Sequence, residues 1–139
     1  MQPHAVTALK KTYDETLALM VEARNYLAYK APRDSTLLPA EICLKASCEA
    51  FRVTSRLTQV MAWLMAHRAV HAGEMDLEEA CSERFRLSGH EICLDDSAAA
   101  CSALPSGLRS LLERSLRLYE RIARLDRMTA QRRDLQRLS

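Results

Sequence analysis

Glycine and proline are both scarce in this sequence: its 139 residues include three glycines and four prolines. An all-β fold needs many tight turns, which these two residues usually supply, so the scarcity disfavours that class. It also leaves little material for a glycine-rich phosphate-binding loop, and neither a Walker A motif nor a GxGxxG motif occurs. A nucleotide site built on such a loop is therefore not expected.

Long apolar runs are absent as well. No stretch approaches the roughly 18 residues that a membrane-spanning helix needs. The first residues, Met1-Gln2-Pro3-His4, show no basic region followed by an apolar one, as a signal peptide would. The five cysteines form no CxxC pair: Cys43, Cys48, Cys81, Cys93 and Cys101. Free thiols are typical of a reducing compartment, so we expect a cytoplasmic protein.

What the sequence does contain is typical of one globular domain, residues 1–139. Hydrophobic residues make up 48% of the chain and charged residues 27%, which argues against disorder. The net charge is only +2, but it is unevenly distributed. From Pro105 to Ser139 there are nine arginines, no lysine and four acids, so this end is basic and the rest of the chain is slightly acidic. A basic end of this kind favours an acidic protein or a nucleic acid as partner.

Apolar residues recur every three or four positions in three segments, which predicts three long helices over 4–30, 39–72 and 105–130. In the first helix the apolar stripe is Val6, Leu9, Tyr13, Leu17, Met20, Ala23 and Leu27. Pro32 should end that helix and leave residues 33–38 as a loop, whereas Pro39 suits the first turn of the second helix. Gly73 should end the second helix, and Asp76 should cap a shorter one over 76–86.

Residues 87–106 lack a clear period and predict a long connection, and residues 131–139 predict a frayed tail. We therefore predict an all-α fold: an antiparallel three-helix bundle with a short extra helix and a long connection before the last helix. The second helix is apolar on two sides, which places it centrally.

Candidate chemical groups are few. His67 and His71 lie four positions apart on one helix face, and Glu74 and Cys81 follow; this face could hold zinc if a third ligand came near. The HExxH pattern is absent, because an arginine follows His67, and both histidines suit the surface near a helix C-terminus. His90 and Cys93 lie three apart, but no glycine-rich turn is present to build an oxyanion hole. We therefore predict no catalytic, cofactor or metal site.

Protein binding is the function that this composition favours. We predict a partner-binding face from four arginines of the last helix: Arg114, Arg117, Arg121 and Arg124. We also predict that Trp63, Met61 and Tyr119 support the fold or a dimer. The alternative is a nucleic-acid or transcription-associated binder that uses the same basic helix, although Tyr119 is the single aromatic residue among its arginines.

Three groups of residues carry a resemblance to a known family. They are Glu22-Ala23-Arg24 with Tyr26-Leu27; Thr54 to Met65 with Arg68-Ala69-Val70 and Gly73-Glu74; and Leu104-Pro105 with Ser115 to Tyr119, Arg121-Ile122 and Arg124-Leu125-Asp126. Their order and spacing, from about Thr12 to Met128, resemble the RcdA family of alphaproteobacteria, the regulators of CtrA degradation.

This resemblance implies a three-helix bundle that forms a homodimer and works as a non-enzymatic proteolytic adaptor without a cofactor. It also implies cooperation with the ClpXP protease, with a receiver protein similar to CpdR and with an effector similar to PopA, at a cell pole. An adaptor of this kind raises the effective concentration of a substrate near the protease and needs no chemistry of its own.

Overall fold

Three long helices dominate the computed structural model, which describes residues 3–98 and 101–139. The helices are α1 (Pro3–Asn25), α2 (Ala31–Ser35), α3 (Ala40–His71), α4 (Leu77–Ala80), α5 (His90–Cys93) and α6 (Ser106–Leu138), with a five-residue π-helix, Tyr26–Lys30, between α1 and α2. The described ranges contain no strand, so the predicted all-α class is confirmed. None of their helices is long and apolar enough to cross a membrane.

Local signals set the end of α3 where the sequence predicted it. Gly73 adopts a left-handed φ of 78°, a conformation that glycine reaches without steric penalty. Its N–H bonds to the carbonyl of Val70 at 3.1 Å, and the N–H of Glu74 bonds to that of Ala69 at 2.9 Å. These two bonds form a Schellman motif, which satisfies the last carbonyls of the helix.

The cap of α4 also follows the prediction, but the length of α4 does not. The Asp76 carboxylate accepts a hydrogen bond from the N–H of Glu79 at 2.8 Å, as an N-cap residue does. The helix then ends at Ala80 and turns follow as far as residue 86, so the predicted helix over 76–86 is too long.

Pro32 does not end the first helical segment, contrary to the prediction. It lies in the first turn of α2, where its missing N–H costs little. The π-helix before it widens the backbone spiral, and the N–H of Ala31 bonds to the carbonyl of Tyr26 five positions back. The wider turn gives the proline ring room that an α-helical turn would deny it. The predicted loop over 33–38 is therefore wrong up to Ser35.

α1 runs antiparallel to both other long helices. Tyr13, at the middle of α1, lies under the guanidinium of Arg68 near the end of α3, 4.4 Å from ring centroid to carbon. Ala23, near the end of α1, lines one depression with Thr54 and Leu57, which come earlier on α3. Glu15 of α1 pairs with Arg121 of α6, and Glu22, two turns further along α1, pairs with Arg114. The numbering of α6 therefore falls as that of α1 rises, as expected for the antiparallel part of the bundle.

α3 and α6, in contrast, run in the same direction. Arg56 of α3 bonds to Ser115 of α6, and two turns later Trp63 bonds to Asp126. Residues 72–105 allow this arrangement, because an extended chain gains up to about 3.3 Å per residue. That reach exceeds the roughly 50 Å length of a 33-residue helix. Antiparallel packing is required only where connections are short. The predicted antiparallel arrangement is therefore right for α1 against the other two long helices and wrong for α3 against α6.

The connection is packed against the bundle and returns along α6. Leu87, Cys93, Ala98 and Leu104 are all buried in the common core; residues 99 and 100 lie outside the described ranges. The connection also stabilises the end of α6, where Arg133 donates to the Cys81 carbonyl and Arg137 pairs with Glu78. The tail predicted to fray over 131–139 is consequently helical to Leu138.

The core lies along α3, as its two apolar sides predicted. Val60 and Leu64 of α3, and Tyr119 and Ile122 of α6, have no solvent-exposed surface. α1 and α6 each pack along α3 and contact one another over less of their length. This leaves an open groove between α1 and α6, whereas the connection covers the side where α3 meets α6.

Candidate functional site

The four arginines predicted as a partner-binding face do lie together, along the open groove between α1 and α6. This α1–α6 groove has a volume of about 680 Å³. Its lining comes from two helices only: Glu15, Ala18, Leu19 and Glu22 of α1, and Arg114, Arg117, Leu118, Glu120, Arg121 and Arg124 of α6. It therefore has charged rims above a floor of leucine and alanine.

Arg114 connects the two walls of the groove. Its two terminal nitrogens donate to the two carboxylate oxygens of Glu22 at 2.7 and 2.5 Å, the two-pronged geometry that a guanidinium and a carboxylate share. The hydrogen bond from Arg114 lowers the pKa of Glu22, and the bond to Glu22 raises the pKa of Arg114. The terminal nitrogens of Arg114 are thus engaged by Glu22 within the chain.

Arg121 is held less completely. One of its terminal nitrogens donates to the Glu15 carboxylate at 2.9 Å, and its Nε is buried without a hydrogen-bond acceptor. An unsatisfied buried donor typically costs about 1–3 kcal/mol. This ion pair is therefore weaker than the two-pronged pair made by Arg114.

Of the four arginines, Arg117 and Arg124 are the most exposed and the least engaged by other residues of the chain. Arg117 lies 3.5 Å from Glu113 in an ion pair whose side chains are both about two-thirds exposed, and such surface pairs contribute about 0–1 kcal/mol. Arg124 is exposed and pairs with no carboxylate among the residues that the structure describes. The sequence identified the arginines but not the two glutamates that engage half of them.

Trp63 is buried in the core of the bundle. Its Nε1–H donates to the Asp126 carboxylate at 3.0 Å, and Arg86 donates to the other oxygen of that carboxylate at 2.8 Å. The indole also stacks on the ring of His67, with centroids 3.9 Å apart. Trp63 thereby joins α3, α6 and the connection.

The histidine beside it corrects a prediction. His67 was expected at the surface near the end of its helix, but it is buried and stacked. Burial lowers its pKa to about 4, so the ring is neutral at physiological pH. The stripe of apolar residues on α3 includes position 67, which is the signal that could have indicated its burial.

Tyr119 is also interior, and Met61 is half-buried on α3. The Tyr119 hydroxyl donates to the Ser88 carbonyl at 2.6 Å. Burial is the main cause that raises the pKa of this phenol above its usual value. Tyr119 therefore holds the connection against α6 as a neutral hydrogen-bond donor.

Arg56 is the buried polar residue that sequence reasoning missed. It is 1% exposed and donates to four neutral acceptors: the carbonyls of Cys93 at 2.7 Å, Asp95 at 2.9 Å and Leu112 at 2.9 Å, and the Ser115 hydroxyl at 3.2 Å. Burial lowers its pKa, although an arginine stays protonated in proteins. Its position on the apolar side of α3, between Val53 and Val60, was the available signal.

The groups considered for chemistry do not assemble into a site. Within residues 3–98 and 101–139, no three histidine, cysteine or acidic side chains lie close enough together to hold a metal ion. Cys93 is buried and burial raises its thiol pKa, which is the opposite of an activated thiolate. His90 is exposed and lies edge-on to Tyr119, 5.8 Å between ring centroids.

A second surface feature is apolar. On the other side of α1, a shallow depression of about 460 Å³ is lined by Met20, Ala23, Arg24, Leu27, Ala28, Thr54, Leu57 and Thr58. Phe51 and Met65 share this side of α3 because each lies seven positions, two helical turns, from Thr58; they are 73% and 59% exposed. We call this the α1–α3 face. Exposed apolar residues grouped in this way typically mark an interaction surface.

Comparison with known proteins gives a family and a solved structure. A family model described as "Protein of unknown function (DUF1465)" matches residues 2–138. The crystal structure of RcdA from Caulobacter crescentus CB15 is similar over 87% of this chain and 89% of that chain, with 39% sequence identity and a TM-score of 0.70. No curated protein matches the sequence.

Proposed function

The chain belongs to the RcdA family, and from this premise we propose that it is a protein-binding adaptor without enzymatic activity. It promotes the regulated degradation of cell-cycle regulators of the CtrA type by the ClpXP protease. The observation that carries the proposal is the 39% identity to RcdA over 87% of the chain, which agrees with the three groups of residues identified in the sequence.

The arrangement of the described residues supports this role. An adaptor needs a rigid scaffold with separate binding surfaces, and the bundle offers the α1–α6 groove on one side of α1 and the α1–α3 face on the other. Holding a substrate beside a protease can raise apparent affinity by about 10²–10⁴-fold. No cofactor takes part in this mechanism.

The partners in the proposal are ClpXP, a receiver protein similar to CpdR and an effector similar to PopA. The adaptor works in the cytoplasm and is recruited to a cell pole. Arg117 and Arg124 contribute to the partner-binding face directly, because they are exposed. Arg121 contributes to this face once its bond to Glu15 is broken. Arg114 contributes indirectly, because its pair with Glu22 holds the two walls of the groove together.

We further propose a homodimer that buries the α1–α3 face. Phe51 and Met65 are substantially exposed in the single chain, and burying such side chains contributes about 25 cal/mol per Å² of apolar area. Trp63 and Tyr119 support this dimer indirectly, through the fold, and Met61 does so from α3.

Reconstituted degradation tests the function. Purified ClpXP, the receiver protein, the effector and a CtrA-type substrate from the same bacterium are combined with and without the chain, and substrate loss is followed on gels. We expect the chain to accelerate degradation of that substrate and to leave an unrelated ClpXP substrate unchanged. Equal rates with and without the chain, in every combination of partners, would refute the adaptor role. Tight binding of random duplex DNA would support the nucleic-acid alternative instead.

A further inference from the structure

The α1–α6 groove continues beyond the arginine cluster. A second depression, of about 470 Å³, shares Ala18, Glu22 and Arg114 with it and extends to Gly107 and Tyr29. From Gly107 to Arg124 the combined groove follows 18 residues of α6, which corresponds to roughly 26 Å. This length matches an α-helix of about five turns.

The floor and end of the groove suit the side chains of a helix. Leu111 and Leu118 are both buried beneath it, and the small residues Ala18 and Ser110 line it. At its far end Tyr29 is 69% exposed. A groove with an apolar floor between two helices is the surface on which an amphipathic helix docks.

The charges on the α6 rim define the chemistry of that helix. Arg117, Arg121 and Arg124 are spaced four and three apart, so they form one row along the groove. Carboxylates spaced three or four apart on a docked helix would face this row. On the α1 rim, Glu22 is already bonded to Arg114 at two contacts, so among the α1 residues that line the groove only Glu15 pairs with this row.

From these observations we propose that the α1–α6 groove receives an acidic amphipathic helix of a partner protein, and that a partner carboxylate replaces Glu15 on Arg121. The inference rests on the proposed function in that the partner is a protein. Arg121 makes one contact to Glu15 and leaves its Nε without an acceptor. Transfer to a partner carboxylate lets the guanidinium bond through two nitrogens. The Arg114–Glu22 pair keeps the groove walls in place during the exchange.

Other occupants fit the groove less well. A nucleic acid carries phosphates on both sides of its backbone, so it would meet Glu15 and Glu22 of the α1 rim as well as the arginines. A second copy docked about a two-fold axis that runs across the groove would bring the arginine rows of both copies together. An amphipathic helix can carry its carboxylates only on the side that faces the arginine row.

The experiment uses the full chain, labelled with ¹⁵N, and two synthetic helical peptides of about 18 residues. One peptide carries glutamates at spacings of three and four along one side and leucines along the other, and the second has lysine in place of each glutamate. At low ionic strength, where charge contacts are least screened, we expect the glutamate peptide to shift the amide signals of residues 18–22 and 107–124. The lysine peptide should not.

Variants sharpen the test. Arg117→Glu with Arg124→Glu should raise the Kd of the glutamate peptide by about tenfold or more. Glu15→Gln should lower the Kd several-fold, because it removes the competing carboxylate from Arg121. The matched control is Arg84→Glu with Arg109→Glu, which makes the same change in net charge. Arg109 lies beside Glu49 and Asp96 on another side of α6, and Arg84 is exposed in the connection. The control should leave the Kd almost unchanged.

Three results would overturn the inference: equal binding of both peptides, signal shifts centred on the α1–α3 face, or equal losses in the control variant. Tighter binding of random duplex DNA, abolished by Arg117→Glu with Arg124→Glu, would assign the groove to nucleic acid. If degradation is accelerated but the peptide does not map to the groove, only this inference falls. If the peptide maps to the groove but degradation is unchanged, only the adaptor role falls.

Discussion

Asp126 is a buried charge that connects three elements of the fold. It is 3% exposed and accepts hydrogen bonds from Trp63 on α3 and from Arg86 in the connection. Asp126→Ala removes both bonds and leaves a buried indole N–H and a partly buried guanidinium without a partner. We expect it to lower the free energy of unfolding by about 2–4 kcal/mol, measured by urea denaturation.

The matched control is Asp134→Ala on the same helix. Asp134 is exposed and forms an ion pair with its sequence neighbour Arg133, so its removal should change stability by less than about 0.5 kcal/mol. Similar losses for the two variants would mean that Asp126 has no special role in joining the elements.

His67 makes the stability of the protein depend on pH. Burial lowers its pKa from 6.5 to about 4 in the folded chain, so the unfolded chain binds a proton more readily. The stabilising effect of the neutral ring is complete above pH 6.5 and is lost as the pH falls towards 4. Between pH 7 and pH 5 we expect a loss of about 2 kcal/mol from this group.

Urea denaturation at both pH values measures this loss. His67→Gln cannot titrate, so its stability should change less than that of the wild type between pH 7 and pH 5. The comparison concerns the pH dependence and not the absolute stability of the variant. Parallel pH profiles for the two proteins would show that His67 is accessible to protons when folded.

At the scale of whole elements, signals within a few residues predicted helix ends better than helix directions. Gly73 and Asp76 act through hydrogen bonds that span at most five positions, so the sequence contains everything that these ends need. Pro32 was misread because the π-helix before it is not encoded by a recognisable local pattern. The parallel arrangement of α3 and α6 depends on how residues 72–105 pack, which is a tertiary effect that periodicity does not report.

Arg56 holds this connection against both helices. Its guanidinium reaches two carbonyls of the connection, those of Cys93 and Asp95, as well as two acceptors on α6. Arg56→Lys keeps the charge but cannot reach all four acceptors, because an ammonium is a compact donor and not a planar fork. We expect amide hydrogen exchange to accelerate at residues 88–98 by about tenfold or more, with α1 unchanged.

Arg109→Lys is the control for that exchange measurement. Arg109 is exposed on α6, so its replacement should leave the exchange rates of the connection unchanged. Acceleration spread evenly over α1 and the connection in Arg56→Lys would instead indicate that the whole fold opens as one unit.

At the scale of the whole molecule, the sequence identified the residue types of the candidate site but not their pairing. The row of arginines follows from spacing along one helix. Their partners Glu22 and Glu15 lie 92 and 106 positions away from Arg114 and Arg121, and only the folded bundle brings them together. This pairing changes the interpretation, since Arg114 and Arg121 are bound to α1. Arg117 makes only an exposed pair with Glu113, and Arg124 pairs with no carboxylate among the described residues.

The α1–α3 face groups exposed apolar residues of two long helices on one surface. If two copies associate there, Phe51→Lys with Met65→Lys places charges in the interface, and burying unpaired charges is strongly unfavourable. We expect this variant to sediment as a monomer at concentrations where the wild type is a dimer. Its circular dichroism should be unchanged, because both side chains are exposed in the single chain.

Leu135→Lys with Leu138→Lys is the matched control, since it also replaces two exposed apolar residues with lysine, at the end of α6. The control should remain a dimer. Dissociation of the control alone would place the interface at the end of α6, and a wild type that sediments as a monomer at all concentrations would refute the homodimer. Retention of the peptide response in the α1–α6 groove by the monomeric variant would show that the two surfaces on either side of α1 act independently, as an adaptor that joins several proteins requires.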